Sequence, residues 1–189
     1  MSADVEDKAF NTVDFTKESF LKGNYENCSF NSCLFSECDL SGSTFADCKF
    51  ESCDLTMSKV KKASLKGVEF TNCKMLGMRF DECNPFLLSF EFTKCILNLS
   101  SFYGLKLKNI RFDECKLQEV DFTESDLTNA AFKSSDLTRA IFNNTVLEGA
   151  DFRTAENYSL DPDNNRINKA RFKIDGVIGL LDKYNIRIE

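Results

Sequence analysis

The sequence predicts an all-β solenoid, a backbone wound in short regular turns around one narrow interior, with a short helix at its C-terminal end. Two observations carry this. Large apolar residues recur at every fifth position through most of the chain, and small residues recur two positions before them. A period of five matches neither the 3.6 of a helix nor the 2 of a flat strand, so the chain must turn sharply and often.

The first run starts at Phe10 and steps through Phe15, Phe20 and Tyr25 to Phe70, Met75 and Phe80 without a miss. The phase slips by two residues at 83–86. A second run then starts at Leu87 and alternates strictly between Leu and Phe, with Phe92, Phe102, Phe112, Phe122, Phe132, Phe142 and Phe152 as its aromatic members. In a chain that is 42% apolar, an unbroken series of this length has a chance probability on the order of 10⁻¹¹. The period is therefore a structural instruction. Cys28, Cys33, Cys38, Ser43, Cys48 and Cys53 stand two residues before centres, as do Ser125, Ala130, Ser135 and Ala140 later. Asp often comes directly before the centre, as in Asp14, Asp39, Asp54, Asp121, Asp126, Asp136 and Asp151. Each pentad thus reads small, polar, large apolar, polar, polar.

This pattern resembles the pentapeptide-repeat family over residues 8–154. The resemblance implies a right-handed quadrilateral β-helix of about seven coils. Each pentad would form one side of a square, with centre and small residue pointing inward. Residues twenty apart would then stack, placing Phe92, Phe112, Phe132 and Phe152 in one column and Phe102, Phe122 and Phe142 in the opposite one. All nine cysteines fall at small-residue positions in their local register. Neighbours five apart lie on different sides, unlike zinc ligands, which recur two to four apart. They are read as small buried hydrophobes, with Cys33, Cys53 and Cys73 in one column and no metal or cofactor expected.

Residues 1–7 are expected as a lead-in. The slip at 83–86 reads as a bulge, followed by outward apolar residues, of which Phe86, Leu88 and Tyr103 are candidates for a partner surface. After Phe152 the pentads stop and residues 155–165 read as a loop rich in turn formers, with one pentad-like piece at 169–173. Asp175 is placed to cap a short helix carrying Val177, Ile178, Leu181 and Tyr184. Asn185 would end that helix, and Ile186–Ile188 reads as a terminal strand.

Composition bounds the function. The chain has 189 residues, no histidine, no tryptophan and a net charge of −6. Nucleic-acid binding would need a basic stripe. General acid–base catalysis would fall to carboxylates, lysines or tyrosines, and these occupy repeat-determined outward places with no distinguishable pair. No catalytic residue, small-molecule substrate or membrane span is expected. The acidic opening, Met1 to Asp7, lacks the layout of a secretory leader. The odd cysteine count argues against a closed disulfide framework, and in a cytosolic chain the thiols are expected reduced. The expected location is cytoplasmic.

The tail over 155–189 resembles that of the quinolone-resistance (Qnr-type) and microcin-immunity pentapeptide proteins. The resemblance implies a bacterial homodimer joined through the C-terminal helix, for which Ile178, Leu181, Tyr184, Ile186 and Ile188 are candidate contacts. It also implies a DNA-shaped rod that binds and protects DNA gyrase. The alternative is an interaction scaffold for another cytosolic protein. Signs are mixed in the outward columns, as in Lys106, Asp126 and Val146, or Asp113, Lys133 and Arg153, which weakens mimicry by charge.

Overall fold

The computed structural model describes residues 3–187. Each pentad forms one side of a four-sided coil, and successive coils stack in parallel register. On the first side, β1 (Ala3–Glu6), β3 (Gly23–Glu26), β5 (Thr44–Ala46) and β7 (Ser64–Lys66) form one parallel sheet. On the second, β2 (Ala9–Asn11), β4 (Ser29–Asn31), β6 (Lys49–Glu51), β8 (Val68–Thr71), β9 (Phe90–Thr93), β10 (Arg111–Asp113) and β11 (Ala131–Lys133) form another. The third and fourth sides are joined through single bridges such as Asp14 to Leu34 and Asp39 to Lys59. The register runs Phe10, Phe30, Phe50, Phe70, Phe92, Phe112, Phe132. The step is twenty residues, except across the slip.

The corners explain how so tight a coil forms. The second residue after most centres takes a left-handed conformation, for example Thr12 (φ 54°), Asn27 (φ 50°) and Gly42 (φ 73°). That conformation costs an L-residue roughly 1–2 kcal/mol, so Gly, Asn and Asp suit it. Burial of the centres offsets the cost. From Tyr25 to Phe152 every centre is buried except Leu87. The Phe92, Phe112, Phe132 and Phe152 rings stack with centroids 5.4, 5.4 and 4.8 Å apart. Phe102, Phe122 and Phe142 stack opposite them at 5.4 and 5.2 Å. The two columns meet edge to face at 5.8–6.1 Å. This is a favoured aromatic geometry.

The small residue two before each centre is more than a spacer. At most of the cysteines, and at Ser58, Ser100, Ser135 and Thr145, its side chain donates to the carbonyl of a centre one coil back, satisfying a buried acceptor. Cys53 Sγ reaches Phe30 O at 3.2 Å, Ser58 Oγ reaches Phe35 O at 2.7 Å, and Thr145 Oγ1 reaches Phe122 O at 2.9 Å. Cys33, Cys53, Cys73, Cys95 and Cys115 share one such column, and all nine cysteines are free. Burial pushes the Cys48 thiol up to about 11 and the Cys83 thiol up to about 12. Thiolate character is what makes cysteine reactive. Native protein should therefore react quickly with a thiol reagent at Cys38 at most, the one half-buried thiol. All nine should react after denaturation, which absorbance titration of the released chromophore would count. Rapid native labelling of several thiols would contradict this packing.

The wind is longer than the pentad runs. Within the expected lead-in over residues 1–7, Ala3–Glu6 already pairs with Gly23–Glu26, so the first coil begins there. At the other end, Arg166 and Arg171 bridge to Val146 and Asp151. Phe172 stacks on Phe152 at 5.2 Å. Between them the fourth side of the last coil is replaced by an excursion that buries Tyr158 and Leu160. Asn165 then resumes the small-residue role, donating to Phe142 O at 3.0 Å.

Candidate protein-binding surface

The outward carboxylates are first of all turn formers. Every Asp predicted before a centre accepts the backbone N–H two residues on. The distances run from 2.9 Å (Thr123 N to Asp121) to 3.1 Å (Thr138 N to Asp136). Such Asx turns explain the residue choice. The Lys22 amine and the Ser41 donors hold the Asp39 carboxyl down at about 2. Partial burial raises Asp136, but donors from Asn157, Thr138 and Gln118 outweigh it and bring this group also to about 2. Both lie below the free value of 3.8. Their stabilisation is therefore fully present above the unfolded pKa and is lost as pH falls through the folded one. Melting temperature should thus decline between about pH 4 and pH 2, and Asp136→Asn should flatten part of that decline. An unchanged slope in the variant would remove Asp136 from this role.

Charge is paired between coils rather than accumulated. Lys49 meets Glu69 at 3.3 Å, Lys133 meets Asp113 at 3.0 Å, and Arg171 meets Asp151 at 3.2 Å, each twenty residues apart. These pairs lie at the surface and are individually weak, but they cancel the columns of one sign that a phosphate mimic would need. The N-terminal part of the first side differs. Asp4, Glu6, Asp7, Glu26 and Asp47 form no ion pair among the described residues. Asn24 and Asn27 instead donate to Asp4 and Asp7.

The slip builds a local bulge. Asn84 N donates to Ala63 O at 2.8 Å and Ser89 N to Leu65 O at 2.9 Å, so both feet of Pro85–Leu88 stay in the ladder. Phe86 is 68% exposed and Leu87 62%. Here the structure corrects the sequence reading twice. Leu87, read as a centre, points out, whereas Leu88, read as outward, packs against the core. Phe90 stands at a small-residue position yet is buried, its ring 5.4 Å from Phe80 and 5.1 Å from Phe92. It fills space that the displaced bulge leaves open. Phe86 and Leu88 line a common cavity of about 460 Å³ with Pro85, Gly104, Leu105 and Lys106. Tyr103 does not line it; its hydroxyl donates to Glu124 Oε2 at 2.8 Å on the fourth side.

The C-terminal segment closes the last coil. It runs as 3₁₀ turns, Ile174–Leu180 and Asp182–Tyr184, and not as the α-helix spacing suggested. Asp175 does not cap it; the bounding residue is Lys173, which makes no side-chain cap. Asn185, at φ 48°, does end it in the left-handed conformation. The segment docks on Tyr158: Leu160 N donates to Gly179 O at 3.0 Å, and a Cβ on Gly176 or Gly179 would collide with Tyr158. Lys183 holds Asp161 and Asp163. The segment leaves several large apolar side chains exposed, with Ile174 89%, Ile178 54%, Tyr184 57% and Ile186 57% accessible. Leu181 is half-buried. Ile186 and Arg187 belong to no strand, and Ile188 lies outside the described residues.

The profile of the family described as pentapeptide repeat region matches residues 4–80 and 85–152. The unmatched residues, 81–84, lie immediately before the first-side bulge. Among solved structures, a trypsin-treated variant of QnrB1, a plasmid-mediated fluoroquinolone resistance protein, aligns with 98% of this chain and 99% of its own at 17% identity and a TM-score of 0.65. Full-length QnrB1 aligns over 96% and 99% at 22% identity and a TM-score of 0.48. HetL, involved in heterocyst differentiation regulation in the cyanobacterium Nostoc, aligns over 90% and 84% at 14% identity and a TM-score of 0.45. No curated protein matches by sequence. At these identities structural likeness speaks to fold alone, and the sequence profile speaks to kinship. The chain belongs to the pentapeptide-repeat family and adopts its right-handed, four-sided β-helix.

Proposed function

We propose that this chain is a non-enzymatic protein-binding rod that dimerises through its C-terminal segment and protects a type II topoisomerase such as DNA gyrase. The observation that carries the reading is the set of exposed apolar side chains, Ile174, Ile178, Tyr184 and Ile186, on the segment that closes one end of the rod. A two-fold axis through that end would cover it with its own copy and double the rod's length. The unpaired carboxylates of the first side would then lie toward both tips, where they can imitate phosphates. The whole-length likeness to a fluoroquinolone resistance protein supports the same assignment. Nine free thiols suit a reducing cytoplasm, and among the described residues no helix is long and apolar enough to cross a membrane.

Ile178→Arg should yield monomers in light scattering while the β-rich circular dichroism spectrum is unchanged, because the side chain is exposed within the protomer. Intact dimers would exclude this interface. The functional test is DNA supercoiling by gyrase with and without a fluoroquinolone. Relief of drug inhibition by micromolar protein is expected. No effect would point to a second reading, a scaffold for another protein, which the coil-to-coil ion pairs over most of the surface favour.

A further inference from the structure

We propose that the bulge on the first side exposes a strand edge that accepts an extended peptide from a partner protein, one that joins an apolar anchor to a carboxylate. The edge is the stretch Lys106–Asn109. One coil later its equivalents are fully paired: Asp126 N donates to Leu105 O at 2.8 Å, while the Asp126 and Thr128 carbonyls accept from Leu107 N and Asn109 N at 2.8 Å each. Lys106 and Lys108 have none of these three bonds toward the preceding coil, since Pro85–Leu88 is displaced there. The break is confined to this side. Between the same two coils, Phe112 pairs with Phe92, Ser101 N reaches Met78 O at 2.9 Å, and Lys116 N reaches Cys95 O at 2.9 Å.

Unpaired main-chain donors and acceptors in a row are what an added strand satisfies. Room for it exists. The 460 Å³ cavity beneath Phe86 is flanked by a second of about 390 Å³, and the two share Leu88 and Lys106. Together they border the chain from Gly104 to Ile110, long enough to seat a common strand of about five residues. The chemistry of their lining specifies the occupant. Phe86, Leu88 and Leu105 offer a seat for one large apolar side chain. Lys106 makes no ion pair among the described residues, and it borders both cavities. An acidic side chain one or two positions along the strand would meet it. Glu69 and Glu91 at the far end disfavour acid there, although Glu69 is held by Lys49. The occupant is thus an extended segment pairing an apolar anchor with a carboxylate. This surface is independent of the apolar C-terminal end and of the topoisomerase reading.

The test is panning of a phage-displayed library of random nonapeptides against the full-length protein, with the Lys106→Glu variant as counter-target. Selection should enrich peptides that join apolar and acidic residues. A synthetic peptide from that pool should lose about tenfold or more in affinity to Lys106→Glu. It should lose as much when alternate backbone amides on its pairing edge are N-methylated, and little when the other set is methylated. The methylation arm uses wild-type protein, so it stands whether or not the variant is stable. Absence of enrichment, equal binding to both proteins, or indifference to both methylation sets would overturn the proposal.

Discussion

Phe122→Ala should lower unfolding free energy by about 3–5 kcal/mol, read as a shift of the denaturation midpoint in urea. The ring is fully buried and touches four others. Phe102 and Phe142 stack on it at 5.4 and 5.2 Å, and Phe112 and Phe132 meet it edge-on at 5.8 Å. Neighbours in a solenoid cannot collapse into the hole, because each is fixed by its own coil's backbone pairing. The lost ring therefore leaves a true cavity. Stabilities of whole domains are only about 5–15 kcal/mol, so one truncation removes a large share. A change below about 1 kcal/mol would mean that the ring is not packed as described.

Phe90→Ala should cost a comparable amount, again about 3–5 kcal/mol, and here pattern and packing disagree. The repeat wants a small residue two before Phe92, so pattern alone predicts that alanine is welcome. The structure predicts loss, because Phe90 is wedged between Phe80 and Phe92 at 5.4 and 5.1 Å where the displaced bulge leaves space. Val68→Ala, at the paired position one coil earlier, removes far less volume and should cost markedly less. Equal tolerance of both changes would show that the slip is packed in some other way.

The same region shows where the sequence stops being legible. Counting in fives back from Phe92 lands on Leu87, but the backbone does not insert two residues at one point. Asn84 and Ser89 hold the ladder places that Ser64 and Lys66 hold one coil earlier, which adds three residues between them. Phe90, paired with Val68, then follows Ser89 directly, with no counterpart to the corner residue Gly67. Three gained and one lost gives the slip of two, and Leu88 rather than Leu87 turns inward. A net phase shift is visible in a sequence; its two components are not. The centres and the Asp turns, by contrast, were legible because each is set within five residues. The tail was partly so. Asn185 as a stop depends on local conformation, whereas the last coil depends on Tyr158 and Leu160 folding under Gly179, a contact no periodicity encodes. The hydrogen-bonding role of Ser58 and Thr145 also escaped, since size alone already explained small residues there.

The central claim is that residues twenty apart stand directly above one another on a four-sided coil. Paired cysteines on the outer surface test it most directly. Asn31 and Glu51 are register partners on adjacent strands, and such neighbours, about 4.8 Å apart, fall within disulfide reach. Lys61 lies on the opposite side. Mild oxidation should close a disulfide in the Asn31→Cys, Glu51→Cys double variant, seen as a gel-mobility shift reversed by reductant, and should leave the Asn31→Cys, Lys61→Cys variant as free thiols. Cross-linking of the second pair but not the first would contradict the winding on which the rest depends.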